Sequence, residues 1–475
     1  MVWRSGKASK PFPTSGATFL RMLKLALSAF AAVMLVAGCG GGVKPEAPTP
    51  SLAKKPDIGD IKIEGDRDTA ANKLAIEAIA DLQAYWSTEF PKLYGEDYKP
   101  VEGGLYALTP DSESGPACAS NYGDVAGNAF YCKLDDSVAW DASGLLPELQ
   151  EKYGDFVIPV VLAHEWGHAM QQRSGFFDQN ELTVSSELQA DCFAGGWARH
   201  AQDDKVFDVS GADLDRSLAG ILDLRDTPGT NAQDPSAHGS GFDRVSAFQD
   251  GYDNGAERCK DYEDGEPIVL ELPFNDAEDE ANEGNAPYDS IVNGVPYDLE
   301  DYWSQVYPEI ADGKTWTPLQ PQQPFDPSSP PDCGGQSAEG YVLFYCVPDD
   351  YVGWDNVERM PQIYSEGGDY AVATLLATQW GLAALDRLGD DSDELTSTAR
   401  GDCLAGAYTA SVILYNREAT SSYHISPGDL DEGIKALLLF RGEGDVDRQG
   451  AGFDRTRAFR AGVLDGAKSC LSYTA

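Results

Sequence analysis

Apolar residues recur at helical spacing through long Ala-, Leu- and Gly-rich stretches in both halves of the chain, while the short pieces IKI and GLYAL read as strands. This pattern predicts an α+β, mainly helical architecture. Val157, Val160 and Val161 mark the apolar face of one helix, with Asp155 placed to cap its start and Gly175 placed to end it. The apolar run from Leu25 to Val36 is different in kind. It follows Arg21 and Lys24, is too short to span a bilayer comfortably, and has the shape of a signal peptide, with Met22 as an alternative start to Met1.

The Val157 helix carries VVLAHEWGHAMQQ, in which HExxH sets His164 and His168 four residues apart and so on one helix face. Two imidazoles at that spacing grip one zinc ion. Glu165, next to the first of them, reaches a metal-activated water and serves as general base. The chain holds five histidines in all, so composition alone does not put two of them in this frame. Catalytic zinc takes three protein ligands and keeps one position open. Nineteen residues beyond His168, SSELQADCFAGGW brings Glu187 and Asp191 one turn apart on a second helix.

HExxH followed by ELQADCFAG resembles the neutral zinc metallopeptidase family of bacteria, a gluzincin-like group whose second motif is ExxAD. The resemblance implies a zincin-like core, with zinc held by His164, His168 and Glu187, and with Asp191 orienting a ligand histidine. It implies hydrolysis of a peptide or protein substrate. It also extends to SAHGSGFDR, where His238 is expected to donate to the oxyanion formed when a carbonyl is attacked.

Cysteine positions expose an internal repeat. Of nine cysteines, setting aside Cys39 leaves eight, expected to form four disulfides in an oxidising compartment. Cys118 and Cys132 recur as Cys333 and Cys346, Cys192 recurs as Cys403, and Cys259 as Cys470. The surrounding text recurs too: LQAYWSTEFP as LEDYWSQVYP, FYCKLDDSVAWD as FYCVPDDYVGWD, and GFDRVSAFQDGYDNGAERC as GFDRTRAFRAGVLDGAKSC. The duplicated order favours Cys118–Cys132 and Cys192–Cys259 with their counterparts, among the three pairings that four cysteines allow. Two tandem copies are expected, at 65–262 and 285–475, joined by an acidic linker at 263–284.

The second copy has lost the chemistry. LATQWGLAA puts Thr378, Gln379 and Leu382 where the first copy has His164, Glu165 and His168; Thr398 stands for Glu187 and Gln449 for His238. One zinc per chain follows, with a degenerate second domain that lacks the metal site. Asp402 persists opposite Asp191, which points to a structural part for that aspartate. His200 and His424 fall in no motif and read as surface or helix-end residues.

VAGC, ending at Cys39, resembles a bacterial lipobox, so 1–39 is expected to be a lipoprotein signal and 40–64 a Gly/Pro-rich tether. The expected location is the outer face of a bacterial membrane, touched through the lipid anchor alone. A net charge of −43 argues against nucleic acid as a partner. Oligomeric state is not legible. Two other readings stay open at this level: a surface scaffold whose zinc is structural, and a regulated enzyme with the second copy as its lid.

Overall fold

A computed structural model describes residues 58–474 apart from 180–182, 235, 265–268, 419–422 and 441–445. The signal segment, Cys39 and the tether as far as residue 57 lie outside the described residues. What is described is mainly helical with small sheets.

In the first half, extended chain at 61–63 buries Ile61 and Ile63, and the ladder begins just after it with β1 (Glu64–Gly65) rather than in IKI itself. α1 (Ala70–Tyr94) starts where the Thr69 hydroxyl accepts from the Asn72 amide. GLYAL is β2 (Gly104–Leu108), followed by β3 (Ala129–Cys132) and β4 (Ser137–Asp141). The sheet order is β1-β2-β4-β3, with β2 parallel and β3 antiparallel to β4, which leaves β3 at an edge. Then come α2 (Leu145–Tyr153), α3 (Val157–Ser174), α4 (Thr183–Asp203), α5 (Gly211–Asp223) and α6 (Gly241–Asn254). Gly175 ends α3 in the left-handed region, as the sequence suggests. Asp155 does not cap it: the Asp155 carboxylate accepts from Gln150 Nε2, and Phe156 precedes the helix with no side-chain cap bond.

The second half follows α7 (Ala277–Ala281) and α8 (Tyr288–Ile310) with β5 (Gln323–Phe325), β6 (Asp332–Cys333), β7 (Gln336–Ser337), β8 (Leu343–Cys346) and β9 (Tyr351–Asp355). Here β5 is parallel and β8 antiparallel to β9. The helices are α9 (Arg359–Gly367), α10 (Asp369–Leu388), α11 (Glu394–Leu414), α12 (Asp429–Leu439), α13 (Val446–Gln449) and α14 (Gly452–Asp465).

Close helix crossings recur in both halves. A Cβ on Gly251 of α6 would lie 1.7 Å from the Cys192 carbonyl oxygen of α4, and one on Gly462 of α14 would lie 1.7 Å from that of Cys403 on α11. Only glycine admits such an approach. Cys192–Cys259 and Cys403–Cys470, each spanning 67 residues, fasten the same crossings, while Cys118–Cys132 and Cys333–Cys346 clip the strand regions. This is the pairing that the duplicated order favours.

One continuous hydrophobic core contains residues of both halves, Trp86 and Trp197 with Trp303 and Trp380 among them. The halves also exchange a polar contact. The Phe242 amide at the start of α6 donates to Asp431 Oδ1 on α12 at 2.8 Å, and the Phe453 amide at the start of α14 donates to Asp215 Oδ1 on α5 at 2.6 Å. Each buried aspartate satisfies an orphan helix-start amide of the other half and meets its positive dipole end.

Removing either carboxylate leaves a buried amide without an acceptor. Asp215→Ala and Asp431→Ala are each expected to destabilise by about 1–3 kcal/mol in chemical denaturation. A variant of either kind with unchanged stability would show that its contact does not hold the halves together.

Candidate functional site

The α3 and α4 helices approach closely because residue 167, inside the HExxH turn, is glycine: a Cβ there would lie 2.8 Å from the Ala190 Cα. That approach brings His164, His168 and Glu187 together, with one ligand-capable atom from each within 4.8 Å of the others. His164 Nε2 lies 3.1 Å from Glu187 Oε2, and His168 Nε2 lies 3.4 Å from Glu187 Oε1. The two rings are nearly perpendicular, at 88° with centroids 4.8 Å apart.

The far side of each ring is held as well. His164 Nδ1 is 2.7 Å from Asp191 Oδ1, and His168 Nδ1 is 2.8 Å from Gln171 Oε1. An oxygen acceptor at each Nδ1 suits a proton on that nitrogen, which leaves Nε2 as the atom that would face a metal ion in the cluster. Two imidazole nitrogens and a carboxylate facing one point form the donor set that suits zinc with a position left open. Gln171 was not singled out by the motif, although its place three residues after His168 puts it on the same helix face.

Asp191 is tied on its other side by Arg244 of α6, whose Nε and Nη2 reach it at 2.7 and 3.0 Å. Burial raises the Asp191 carboxyl, but the Arg244 guanidinium and the His164 imidazole outweigh it and hold the group below the usual range. In the second half Arg455 binds Asp402 in the same bidentate way, at 2.8 Å through each nitrogen. The persistence of Asp402 thus has a physical reason: it is half of a buried ion pair between α11 and α14. Arg244 stands in the GFDR that recurs in both halves, but the sequence did not reveal its pairing with Asp191.

Glu165 is buried beside the cluster, and its Oε2 accepts the backbone amide of Tyr131 on the edge strand β3 at 2.9 Å. Burial, helped by the charge of Glu187, raises its carboxyl above the ordinary value despite the opposing histidines. Because Tyr131 contributes only its amide, no side-chain pattern could have signalled it. Burial lowers the His164 imidazole, yet the carboxylates of Asp191, Glu187 and Glu165 together push it up to about 10. The surroundings therefore favour positive charge between these residues.

His238 stands outside the cluster. It is half-exposed on the loop between α5 and α6, with Nδ1 3.4 Å from Asp226 Oδ1 and its amide donating to the same carboxylate. The neighbouring Gly239 packs against Val184 and Leu188 of α4, so the loop rests on the helix that carries Glu187. His200, at the end of α4, faces Asp81 at 3.3 Å and Asp204 at 3.2 Å.

If Asp191 both locks helices and orients His164, its two roles separate across the halves. Arg244→Met and Arg455→Met are each expected to cost about 3–5 kcal/mol of stability, since each strands a buried carboxylate. Only Arg244→Met is expected to weaken metal binding, by about 10- to 100-fold in a competitive chelator titration. Equal metal affinity in the two variants would confine Asp191 to packing.

Comparisons with known proteins bear on the same half. The chain is 29% identical over 215 residues to the uncharacterized protein YpfJ of Escherichia coli K12, covering 41% of this chain and 71% of the relative. It is 25% identical over 250 residues to the uncharacterized protein Rv2575 of Mycobacterium tuberculosis H37Rv, covering 47% and 82%. No solved structure matches it. The model of the family described as "putative neutral zinc metallopeptidase" matches residues 16–262, more than half of the chain and the part that holds this cluster, and the chain belongs to that family.

Proposed function

We propose that the protein is a zinc-dependent peptidase of the bacterial cell surface, with a single metal site in its first half. The observation that carries this reading is the convergence of His164 Nε2, His168 Nε2 and the Glu187 carboxylate, with both Nδ1 atoms already engaged. Family membership implies zinc, and these three side chains would hold it. Bound there, zinc supplies a Lewis acid that acidifies a water and polarises a peptide carbonyl.

The chain's own groups do the rest. Glu165 takes a proton from the attacking water and passes it to the leaving amine. The Tyr131 amide holds one of its oxygens, which leaves the other to carry that proton. Asp191 and Gln171 keep the imidazoles in orientation, and Arg244 keeps Asp191 in place. His238 is assigned to the oxyanion, as a residue of the loop that rests on the helix carrying Glu187.

The chain is further read as two tandem copies, at 65–262 and 285–475, of which the second has lost its metal ligands. Support comes from the recurrent sequence blocks, the two matched disulfide pairs and the matched ion pairs Asp191–Arg244 and Asp402–Arg455. At the positions of His164, Glu165, His168 and Glu187 the second copy carries Thr378, Gln379, Leu382 and Thr398, a set unable to bind zinc in this way. Eight cysteines joined as four disulfides favour an oxidising compartment, and VAGC favours a lipid anchor at Cys39.

Glu165→Gln is expected to abolish peptide hydrolysis, by at least about 100-fold in kcat, while the purified protein keeps close to one zinc per chain. Cleavage by that variant at the wild-type rate would reject the base, and zinc retained without turnover in the wild type would favour a scaffold. His238→Ala is expected to lower kcat by about 10- to 1000-fold with zinc retained. Unchanged turnover would remove His238 from the mechanism.

A further inference from the structure

A second cluster of ligand-capable side chains lies in the other half. Asp369 opens α10, Asp429 opens α12, and Glu432 stands one turn further along α12; one oxygen from each lies within 4.8 Å of the others. Asp369 and Asp429 are 3% and 2% exposed. Among the described residues, no arginine, lysine or histidine forms an ion pair with any of the three. Two buried carboxylates and a partly buried third, with only the more distant charge of Lys435 acting on Glu432, are costly to hold together unless something positive joins them.

Backbone amides hold one oxygen of each. Ala286 donates to Asp369 Oδ2 at 2.9 Å, Ser426 to Asp429 Oδ2 at 2.8 Å, and Tyr370 to Glu432 Oε2 at 2.8 Å. Asp369 Oδ1 and Asp429 Oδ1 are buried and, among the described residues, accept from no N–H or hydroxyl group. Residue 368 must be glycine for the cluster to close, since a Cβ there would lie 1.9 Å from the Glu432 carboxyl carbon.

The first half indicates what is missing. On the two-copy reading, GDF at 154–156 matches GDY at 368–370, and DLDR at 213–216 matches DLDE at 429–432. The local geometry agrees: the Ser210 amide donates to Asp213 Oδ2 as the Ser426 amide does to Asp429 Oδ2. Arg216 approaches Gly154 as Glu432 approaches Gly368, and Arg216 pairs with Asp213. Where the first half places a guanidinium beside the aspartate, the second places another carboxylate, and both aspartates remain. The exchange reverses the local charge, which a bound cation would restore.

We propose that Asp369, Asp429 and Glu432 bind one divalent cation of the calcium class, which fixes the segment between the halves onto α10 and α12. An all-oxygen donor set of carboxylates suits a hard cation rather than zinc. Asn285 and Ala286, the first residues after that segment, bond to the amide and carboxylate of Asp369, so the ion would stiffen the connection. Burial raises all three carboxyls, with added repulsion from Asp279 at Asp369, from Asp369 and Glu432 at Asp429 and from Asp369 at Glu432, and Asp369 and Glu432 come close enough for one proton to bridge them. A shared proton is therefore the competing occupant, and calcium would displace it.

The test uses the full exported chain, stripped of calcium by a selective chelator with its zinc content measured before and after. Calcium chloride is then titrated at neutral pH, following bound calcium by equilibrium dialysis and Tm by calorimetry. One calcium per chain and a saturable rise in Tm are expected. Glu432→Arg, which installs the residue of the first half, is expected to fold without calcium and to weaken calcium binding at least about tenfold. Glu432→Gln serves as the milder variant should the arginine not fold, and it too is expected to bind more weakly. No bound calcium, or calcium bound equally well by the Glu432 variants, would overturn the proposal. His164→Ala is expected to lose zinc and keep the calcium response, so failure of this site and failure of the peptidase reading give different results.

Discussion

The buried pair Asp191–Arg244 is the interaction on which the arrangement of the site depends. It joins α4 to α6 across the crossing that Gly251 and Cys192–Cys259 also hold, and its aspartate reaches α3 through His164. Three helices thus meet at one carboxylate. The geometry at His164 is consequently a by-product of helix packing as much as a local feature of the HExxH turn. A buried ion pair is weak evidence for stability by itself, because desolvation offsets the attraction. Its value here is directional: a bidentate guanidinium fixes the plane of the carboxylate that orients the imidazole.

The second half keeps that pair and lacks the histidine. Burial raises the Asp402 carboxyl against the pull of Arg455, whereas Asp191 is held low because His164 adds to Arg244. The same two residues in the same frame therefore differ electrostatically according to whether an imidazole is present. This supports the view that the pair belongs to the scaffold and that the first half uses it for a second purpose.

Contacts between the halves are reciprocal: each contributes a helix-start amide and each contributes an aspartate to receive it. Gln249 adds to these contacts by donating to the Phe453 carbonyl and the Thr456 hydroxyl. With hydrophobic core running through both halves, the second half is a packing partner of the half that holds the cluster.

The sequence by itself determined the helical class, the strand GLYAL, the HExxH frame and the favoured cysteine pairing, because each follows from local spacing or from the repeat. The pairing of His164 with His168 was legible because helical spacing puts both on one face, and Glu187 was legible through the resemblance of its ExxAD motif. Tertiary structure alone decided the rest. The hold of Tyr131 on Glu165 is a backbone contact, the Asp155 carboxylate turns to Gln150 instead of the helix it precedes, and IKI buries its isoleucines without joining the ladder. Arg244 and the carboxylates of Asp369, Asp429 and Glu432 meet their partners across segments distant in the chain. One-dimensional spacing carries no information about such meetings; close helix approach at glycine and burial of the surrounding core bring them about.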